Sequence, residues 1–508
     1  MALGKFFRPA EPLFPMLNVG CLIDLQTGQY VKGRFGESIL NGGLPYITGM
    51  VGRGNSFKTM LQIFLLLVVL SRYVSADAVF YETEISGTVN RIYQLALQIP
   101  ELAGLDLQAM TRLIYTNVIT PRDDKKPNLG DMFFDDLKNM WEDKRKGGKE
   151  YERTLPFIGL NGDLMKTHQA TITGIDSFSQ FTTSPVQNMH DDNKIGDKGN
   201  NMDHARDGLI KTQMMMQLPA LTGSSGGYVM MSAHIGDLAL QDPNSPAPRK
   251  LDTMKERDGK MKNVPEKFTF LTNVCWYLYG ATVLMNDATK AAEWPRNPGE
   301  ELKGDQDLKT VNIKAVRLKS GMSGVPFQLV LSQTEGILVG LTEYNFMKTH
   351  KMGIIGLGTP RFSLELLPDI QLMRTTIRKL IREIPALQRA LEISSELVQL
   401  NIMPNWMQLD KKYKCTPKQL REDLEKLGFD WDMILTKTRG YWIYEEDYVE
   451  GQTKLFLSTM DLLRMRTGEY FPFWLDEDKK TILPQKKWRK AATANQKFIE
   501  KAMSAVPA

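Results

Sequence analysis

One stretch limits what the chain can fold into more than any other: Thr48-Gly-Met-Val-Gly-Arg-Gly-Asn-Ser-Phe-Lys-Thr59, followed at once by the apolar run Met60 to Leu70. It reads as strand, glycine-rich turn and buried helix. Gly52 to Thr59 fits the phosphate-loop pattern G-x-x-x-x-G-K-[ST], with Phe57 standing where the second glycine belongs. The chemistry of such a loop is accessible to these residues. Gly52, Arg53, Gly54, Asn55, Ser56 and Phe57 supply main-chain N–H groups that can cradle phosphates, and the helix N-terminus adds a favourable dipole. Lys58 is then placed for the β- and γ-phosphates, and the Thr59 hydroxyl for Mg²⁺. The plainer reading is a Gly/Ser turn capping a buried helix. The residues downstream favour the nucleotide.

At 508 residues the chain exceeds one compact core, and a prior of ~150 residues per domain suggests two to four. A net charge of +5 over this length assigns no partner by itself, so local clusters must carry any nucleic-acid argument. Cys21, Cys275 and Cys415 lie far apart without C-x-x-C spacing, which argues against a zinc site or disulfide framework and for a reducing compartment. The start lacks a signal-peptide core, and Ile63 to Leu70 is about half the length needed to span a bilayer. A cytoplasmic protein without a membrane segment is expected.

Residues 1–40 form a lead-in with an aromatic pair, Phe6 and Phe7, that suits either docking on a neighbouring subunit or covering the edge of its own core. Ala78 to Glu84 is a β-rich run ending in two carboxylates, at the strand end where α/β sites gather. Thr88 to Gln98 reads as helix and Arg112 to Ile119 as strand. Asp131 to Lys146 reads as an amphipathic surface helix within a solvated excursion. Ala170 to Ser177 is an apolar strand delivering Asp176, the form of a carboxylate that holds an Mg²⁺ shell. Residues 185–207 read as loop, Leu209 to about Leu221 as helix, and Gly226 to His234 as a strand with histidine at its end. Gln241 to Lys267 is too long and aperiodic for an idle connection. Its Arg249, Lys250, Lys255, Arg257, Lys260, Lys262 and Lys267 outnumber its acids by two, which fits a DNA-contacting loop or a solvated one. Trp276 to Met285, Thr310 to Lys319, Val325 to Ser332 and Gly336 to Leu341 read as strands, with Arg317 and Lys319 on one face.

Beyond residue 345 the pattern becomes that of a helical bundle over Leu364 to Leu400. Thr416 to Gly428 carries a Thr N-cap, Pro in the first turn and a terminal Gly. With Gly440 to Tyr444 and Lys454 to Met465 read as a hairpin, this suggests a winged-helix-like module. Lys479 to Lys501 holds eight Lys/Arg against one acid, with Trp488 among them, a composition that suits either nucleic-acid backbone contact or a solubilising tail. The resulting division is 1–40 lead-in, 41–345 core, 346–478 C-terminal region and 479–508 basic tail.

This order of elements resembles the RecA-type recombinases, and among them the phage proteins, over roughly residues 5–340. Ser56-Phe-Lys-Thr59 shares the unusual Ser-Phe-Lys of the phage members; Phe14-Pro-Met-Leu-Asn-Val19, Phe80-Tyr-Glu-Thr-Glu84, Ile175-Asp-Ser177 and Ala233-His234 resemble further family segments. The resemblance implies an α/β, RecA-like phosphate-loop ATPase core with a twisted, mostly parallel sheet and a C-terminal α+β region. It implies ATP and Mg²⁺ as cofactors, Glu84 polarising the attacking water, Thr59 and Asp176 at the metal, and His234 sensing the γ-phosphate. Thr88 and Arg91 fall near the adenine, with Arg91 where the family has tyrosine. Arg317 and Lys319 resemble the basic pair that reaches a neighbour's ATP across a filament, and Phe6 or Phe7 the aromatic that docks on the adjacent subunit. Residues 185–207 and 241–267 lie where the two DNA loops sit, although 185–207 is net acidic, and the tail is basic where the family usually ends acidic.

The implied activity is a DNA-dependent ATPase that forms filaments on single-stranded DNA and pairs it with duplex DNA in phage recombination and repair, in the host cytoplasm. Single-strand-binding and mediator proteins would be its helpers. A ring helicase of RecA fold is the second reading, against which too little chain precedes the phosphate-loop strand for the usual N-terminal domain. A non-hydrolysing, structural or regulatory nucleotide-binding module is the third, against which stand Lys58, Thr59, Glu84 and Asp176.

Overall fold

The apolar strand segments assemble into one twisted sheet of ten strands in a computed structural model that describes residues 10–504, apart from 12, 86, 88, 123–124, 193–200, 238–258, 322 and 403–408. Its strands are β1 (Ile47–Gly52), β2 (Asp77–Glu82), β3 (Leu113–Asn117), β4 (Thr171–Asp176), β5 (Gly227–Asp237), β6 (Gly259–Met261), β7 (Val274–Val283), β8 (Leu308–Leu318), β9 (Pro326–Ser332) and β10 (Gly336–Ile337). The spatial order is β10-β9-β8-β7-β1-β5-β4-β2-β3, with β6 pairing on β5. From β7 to β3 all neighbours are parallel, whereas β8, β9 and β10 continue the sheet antiparallel. Every residue of β1 and β4 is buried, as expected for parallel strands covered on both faces. The expected mixed α/β core with a mostly parallel sheet is therefore present.

The helix after the glycine-rich turn, α1 (Lys58–Arg72), is buried over nearly its whole circumference because its sequence is apolar all round. Helix Gly130–Lys146 is less solvated than its charge suggests. Phe133, Phe134, Leu137 and Trp141 are buried, Trp141 beneath Gly227 at the start of β5.

Several readings of the sequence are corrected. Much of 185–207 is helical, in Ser184–Asp192 and the start of Asn201–Ser225. Residues 336–341 are a two-residue strand running into helix Val339–His350, since the apolar run there packs between sheet and helix. The stretch 364–400 opens with the antiparallel pair Arg361–Leu364 and Leu367–Met373 before helices Ile377–Glu383 and Pro385–Ile402. Residues 440–444 form no strand; Trp442 and Tyr444 instead turn into the main core, where the Trp442 indole donates to the Met16 carbonyl (3.1 Å). The short strands Thr438–Arg439 and Leu455–Phe456 pair in parallel, which removes the hairpin of a winged helix at that place. Trp488 is buried against Tyr448 and Phe473 with its indole on the Leu483 carbonyl (2.9 Å), so it anchors helix Trp488–Ser504 and offers no stacking face. Helix Pro417–Lys426 has the expected Thr416 cap, as a full capping box with Gln419.

The residues after 345 build a second apolar cluster around Leu391, Leu397, Leu420, Trp431 and Trp474. Leu25 and Leu40 join it from the N-terminal segment, Leu308 and Val330 from the antiparallel end of the sheet and Trp294 from the connection between β7 and β8. Ionisable groups are withdrawn from solvent as well, Asp24, Glu343 and Arg389 buried and Arg72, Glu392 and Glu396 half-buried. Burial, reinforced by the Glu392 charge, raises the Glu396 carboxyl to about 8, and the Thr459 hydroxyl donates to it. A carboxyl raised on folding favours the protonated state, so its stabilisation is complete below the unfolded value of about 4.5 and is lost as pH rises toward 8. Thermal unfolding followed from pH 5 to pH 9 should therefore show stability falling over this range. In Glu396→Gln the fall should be visibly smaller, while an unchanged pH profile would remove Glu396 from the account.

Candidate active site

Register brings the chemistry-bearing residues together. β1 ends at Gly52 beside His234 of β5 and Leu278 of β7, and β2 ends at Glu82 beside Asp176 of β4. The carboxyl ends of four parallel strands thus face one crevice, the usual location of ligands in open α/β sheets. Gly54, Thr83, Glu84, Gln180, His234 and Lys262 are among the residues lining a cavity there of about 640 Å³.

The turn between β1 and α1 curls around the Lys58 ammonium. Nζ donates to the carbonyls of Gly52 (3.2 Å) and Arg53 (2.8 Å) and to Ser56 Oγ (3.3 Å). Burial pulls this lysine below its ordinary pKa, against the opposing pull of Asp176 and Glu84. A Cβ at Gly52 would sit 2.4 Å from Ser56 Oγ and 2.8 Å from the Leu278 carbonyl, which is why only glycine fits there. Gly54 faces open space. Asn55 and Phe57 both lie in the left-handed region, with φ of 58° and 65°. Phe57 keeps the backbone that the pattern assigns to glycine. Its ring packs on the main core and faces the Lys309 ammonium, 5.4 Å from the ring centre.

Asp176 is held at both oxygens. The Thr59 hydroxyl donates to Oδ2 and the Ser232 hydroxyl to Oδ1. Burial raises its carboxyl above the ordinary range despite these two donors. Glu84, just beyond β2, receives His234 Nε2 (2.7 Å) and Ser177 Oγ (2.9 Å) on the same oxygen. Desolvation raises this carboxyl, but the hydrogen bonds from His234 and Ser177 outweigh it and hold Glu84 below the usual carboxylate range. Thr83 and Ser177 lock the two strand ends together, with Ser177 N donating to Thr83 Oγ1 (2.7 Å) and Thr83 Oγ1 to the Ser177 carbonyl (3.0 Å). Ser179 Oγ accepts from His234 N (2.9 Å) and donates to the Lys262 carbonyl (2.9 Å), tying the histidine to the chain that follows β6.

Lys58, Thr59, Glu84, Asp176 and His234 are therefore neighbours, as the sequence suggests. Arg91 stands apart from their hydrogen-bond network, its guanidinium donating to the carbonyls of Gln333 and Thr334. Arg317 and Lys319 lie at the opposite end of the sheet. Arg317 pairs with Cys275 and Lys319 N donates to the Asn273 carbonyl (3.0 Å), beside the amino end of β1. Of the basic residues expected at DNA, Lys262 lines the crevice and Lys260 belongs to β6; Arg249, Lys250, Lys255 and Arg257 lie outside the described residues, as do Phe6, Phe7 and Thr88. The sequence reading quoted Ser177 within Ile175-Asp-Ser177 without giving it a role, and passed over Ser179 and Ser232. The alternation of β5 could have revealed Ser232, two residues before His234 and on the same face.

Among the described residues no three His, Cys, Asp or Glu side chains are grouped to hold a metal, and no helix is long and apolar enough to cross a membrane. The oxygen donors Thr59 and Asp176 do suit Mg²⁺, which takes one or two protein ligands and completes its shell with water and substrate phosphates. No protein-family model matches the chain, and no curated protein does.

Removing the Ser232 hydroxyl leaves Asp176 Oδ1 buried without a donor. Urea unfolding of Ser232→Ala should register a loss of about 1–3 kcal/mol, and Ser232→Thr should recover most of it. Equal stability of Ser232→Ala and the parent would mean that the hydroxyl does not support Asp176.

Proposed function

We propose that the chain is an ATP-hydrolysing, DNA-stimulated protein with a RecA-like phosphate-loop core, acting as a recombinase that assembles on single-stranded DNA. One observation carries this reading: Lys58, Thr59, Asp176, Glu84 and His234 converge at the carboxyl ends of adjacent parallel strands. When bound, ATP with Mg²⁺ supplies an electrophilic γ-phosphate. The loop N–H groups and Lys58 bind the phosphates, Lys58 exchanging its loop carbonyls for phosphate oxygens. Thr59 and Asp176 hold the metal. Glu84, kept ionised by His234 and Ser177, orients water and accepts its proton.

His234 joins the acid to the rest of the crevice. Its Nε2 holds Glu84, while its main chain is linked through Ser179 to Lys262. A change at the phosphate end thus has a direct route to the segment expected to meet DNA. Arg317 and Lys319 lie at the other end of the sheet from their own crevice, which suits the proposed contact with a neighbour's nucleotide in a filament.

Steady-state ATP hydrolysis with and without single-stranded DNA tests the reading. DNA should stimulate turnover strongly, and both Glu84→Gln and Lys58→Ala should lower it by roughly 10²–10⁴-fold. Hydrolysis that is absent, or indifferent to DNA, would overturn the proposal.

A further inference from the structure

The C-terminal helix Trp488–Ser504 is docked by one stripe of its surface. Trp488 is buried and Ala491, Ala492 and Asn495 are half-buried, the spacing of a single helix face, and both alanines pack on the second apolar cluster. At 3.6 residues per turn, Arg489, Lys490, Thr493 and Lys497 fall on the opposite face, and all four are exposed. Lys486 and Lys487, in the turn Gln485–Lys487 that leads into the helix, are exposed as well. None of these five cations has an ion pair or a side-chain hydrogen bond among the described residues.

The surrounding acids do not balance them. Residues 488–497 contain no acid. Glu450, on a neighbouring segment, accepts from Gln485 N (2.8 Å). Asp476, Glu477 and Asp478 belong to a separate turn, closed by the Leu475–Ile482 bridge, that also holds Lys479 and Lys480. There Asp478 accepts from Lys480 N, Thr481 N and the Thr481 hydroxyl. Lys486, Lys487, Arg489 and Lys490 moreover crowd the beginning of the helix, where the macrodipole disfavours positive charge. This placement opposes the stability of the helix, and an external polyanion relieves it.

The face itself narrows the choice of polyanion. Its one tryptophan is turned inward, and between Arg489 and Lys497 it presents no aromatic or large aliphatic side chain. Binding of single strands draws on aromatic platforms for the bases, and an interfacial helix on a membrane inserts its apolar side chains. A row of cations alone matches the phosphates of a duplex, which carries one charge per ~1.7 Å of its axis.

We infer that this face binds the phosphate backbone of duplex DNA without regard to sequence, through Lys486, Lys487, Arg489, Lys490 and Lys497. The contact is separate from the crevice and does not depend on the nucleotide reading.

Fluorescence anisotropy of the full chain with a short labelled duplex, without nucleotide and over a series of salt concentrations, tests it. The combined variant Arg489→Gln, Lys490→Gln, Lys497→Gln removes three exposed, unpaired charges and leaves the docking stripe intact. It should weaken duplex binding roughly 10- to 100-fold at low salt and flatten the plot of log K against log salt by roughly 0.9 per cation removed. Binding of oligothymidylate should fall less. A matched variant elsewhere on the surface, Lys149→Gln, Lys303→Gln, Lys351→Gln, should change duplex binding little, and Lys58→Ala not at all. Unaltered duplex binding in the helix variant, an equal loss in the matched variant, an equal loss for the single strand, or a loss of binding to anionic phospholipid vesicles in place of DNA would each overturn the inference.

Discussion

Everything in the crevice depends on the register of β1. This strand is flanked on both sides by parallel neighbours and buried on both faces, so it has no alternative pairing that preserves the core. A shift by one residue would turn each of its side chains to the other face. The register fixes where the glycine-rich turn begins, opposite His234 and Leu278. That in turn fixes the direction of α1 and the positions of Lys58 and Thr59. The same logic operates on β2 and β4, where Glu82 opposite Asp176 sets how far Glu84 extends beyond the sheet.

The polar groups within this frame depend on one another. Asp176 is buried and would be costly to ionise alone; two hydroxyls from different elements, α1 and β5, share the task of satisfying it. Glu84 is partly open to solvent, and its environment acts in the opposite direction, with His234 and Ser177 favouring the ionised form. Two carboxyls at neighbouring strand ends are thereby pushed in different directions, one upward by burial and one downward by donors. Such divergence is how one crevice assigns different roles to similar groups.

The legible parts of the fold were those in which local pattern and tertiary role coincide. The strand–turn–helix of residues 47–72, the apolar strand ending at Asp176 and the capped helix starting at Pro417 each carry their own signal. Glu84 and His234 were legible because they stand at the ends of apolar runs. Ser177, Ser179 and Ser232 carry no such signal, since a serine on a strand differs from any other until its partner is known. Trp488 misled for a related reason. An aromatic in a polar or basic setting suggests exposure, yet the large apolar area of tryptophan draws it into the core while its neighbours stay in solvent. The apolar run 336–341 is ambiguous between strand and helix by pattern alone, and packing against the sheet divided it.

Phe57 illustrates how a departure from a local rule is supported from elsewhere. A left-handed backbone costs a residue with a side chain roughly 1–2 kcal/mol relative to glycine. Glycine would avoid that strain, but would lose the ring that packs on the core beneath Lys309. The phenylalanine therefore exchanges backbone freedom in the turn for a fixed attachment at the N-cap of α1. From that attachment α1 runs about 22 Å, at ~1.5 Å per residue, to Arg72, which pairs with Asp24 and lies against Tyr441. A close-packed helix of this kind has little room to bend or compress. One close-packed helix thus ties Lys58 and Thr59 to the Arg72 end, where the N-terminal segment meets the C-terminal region.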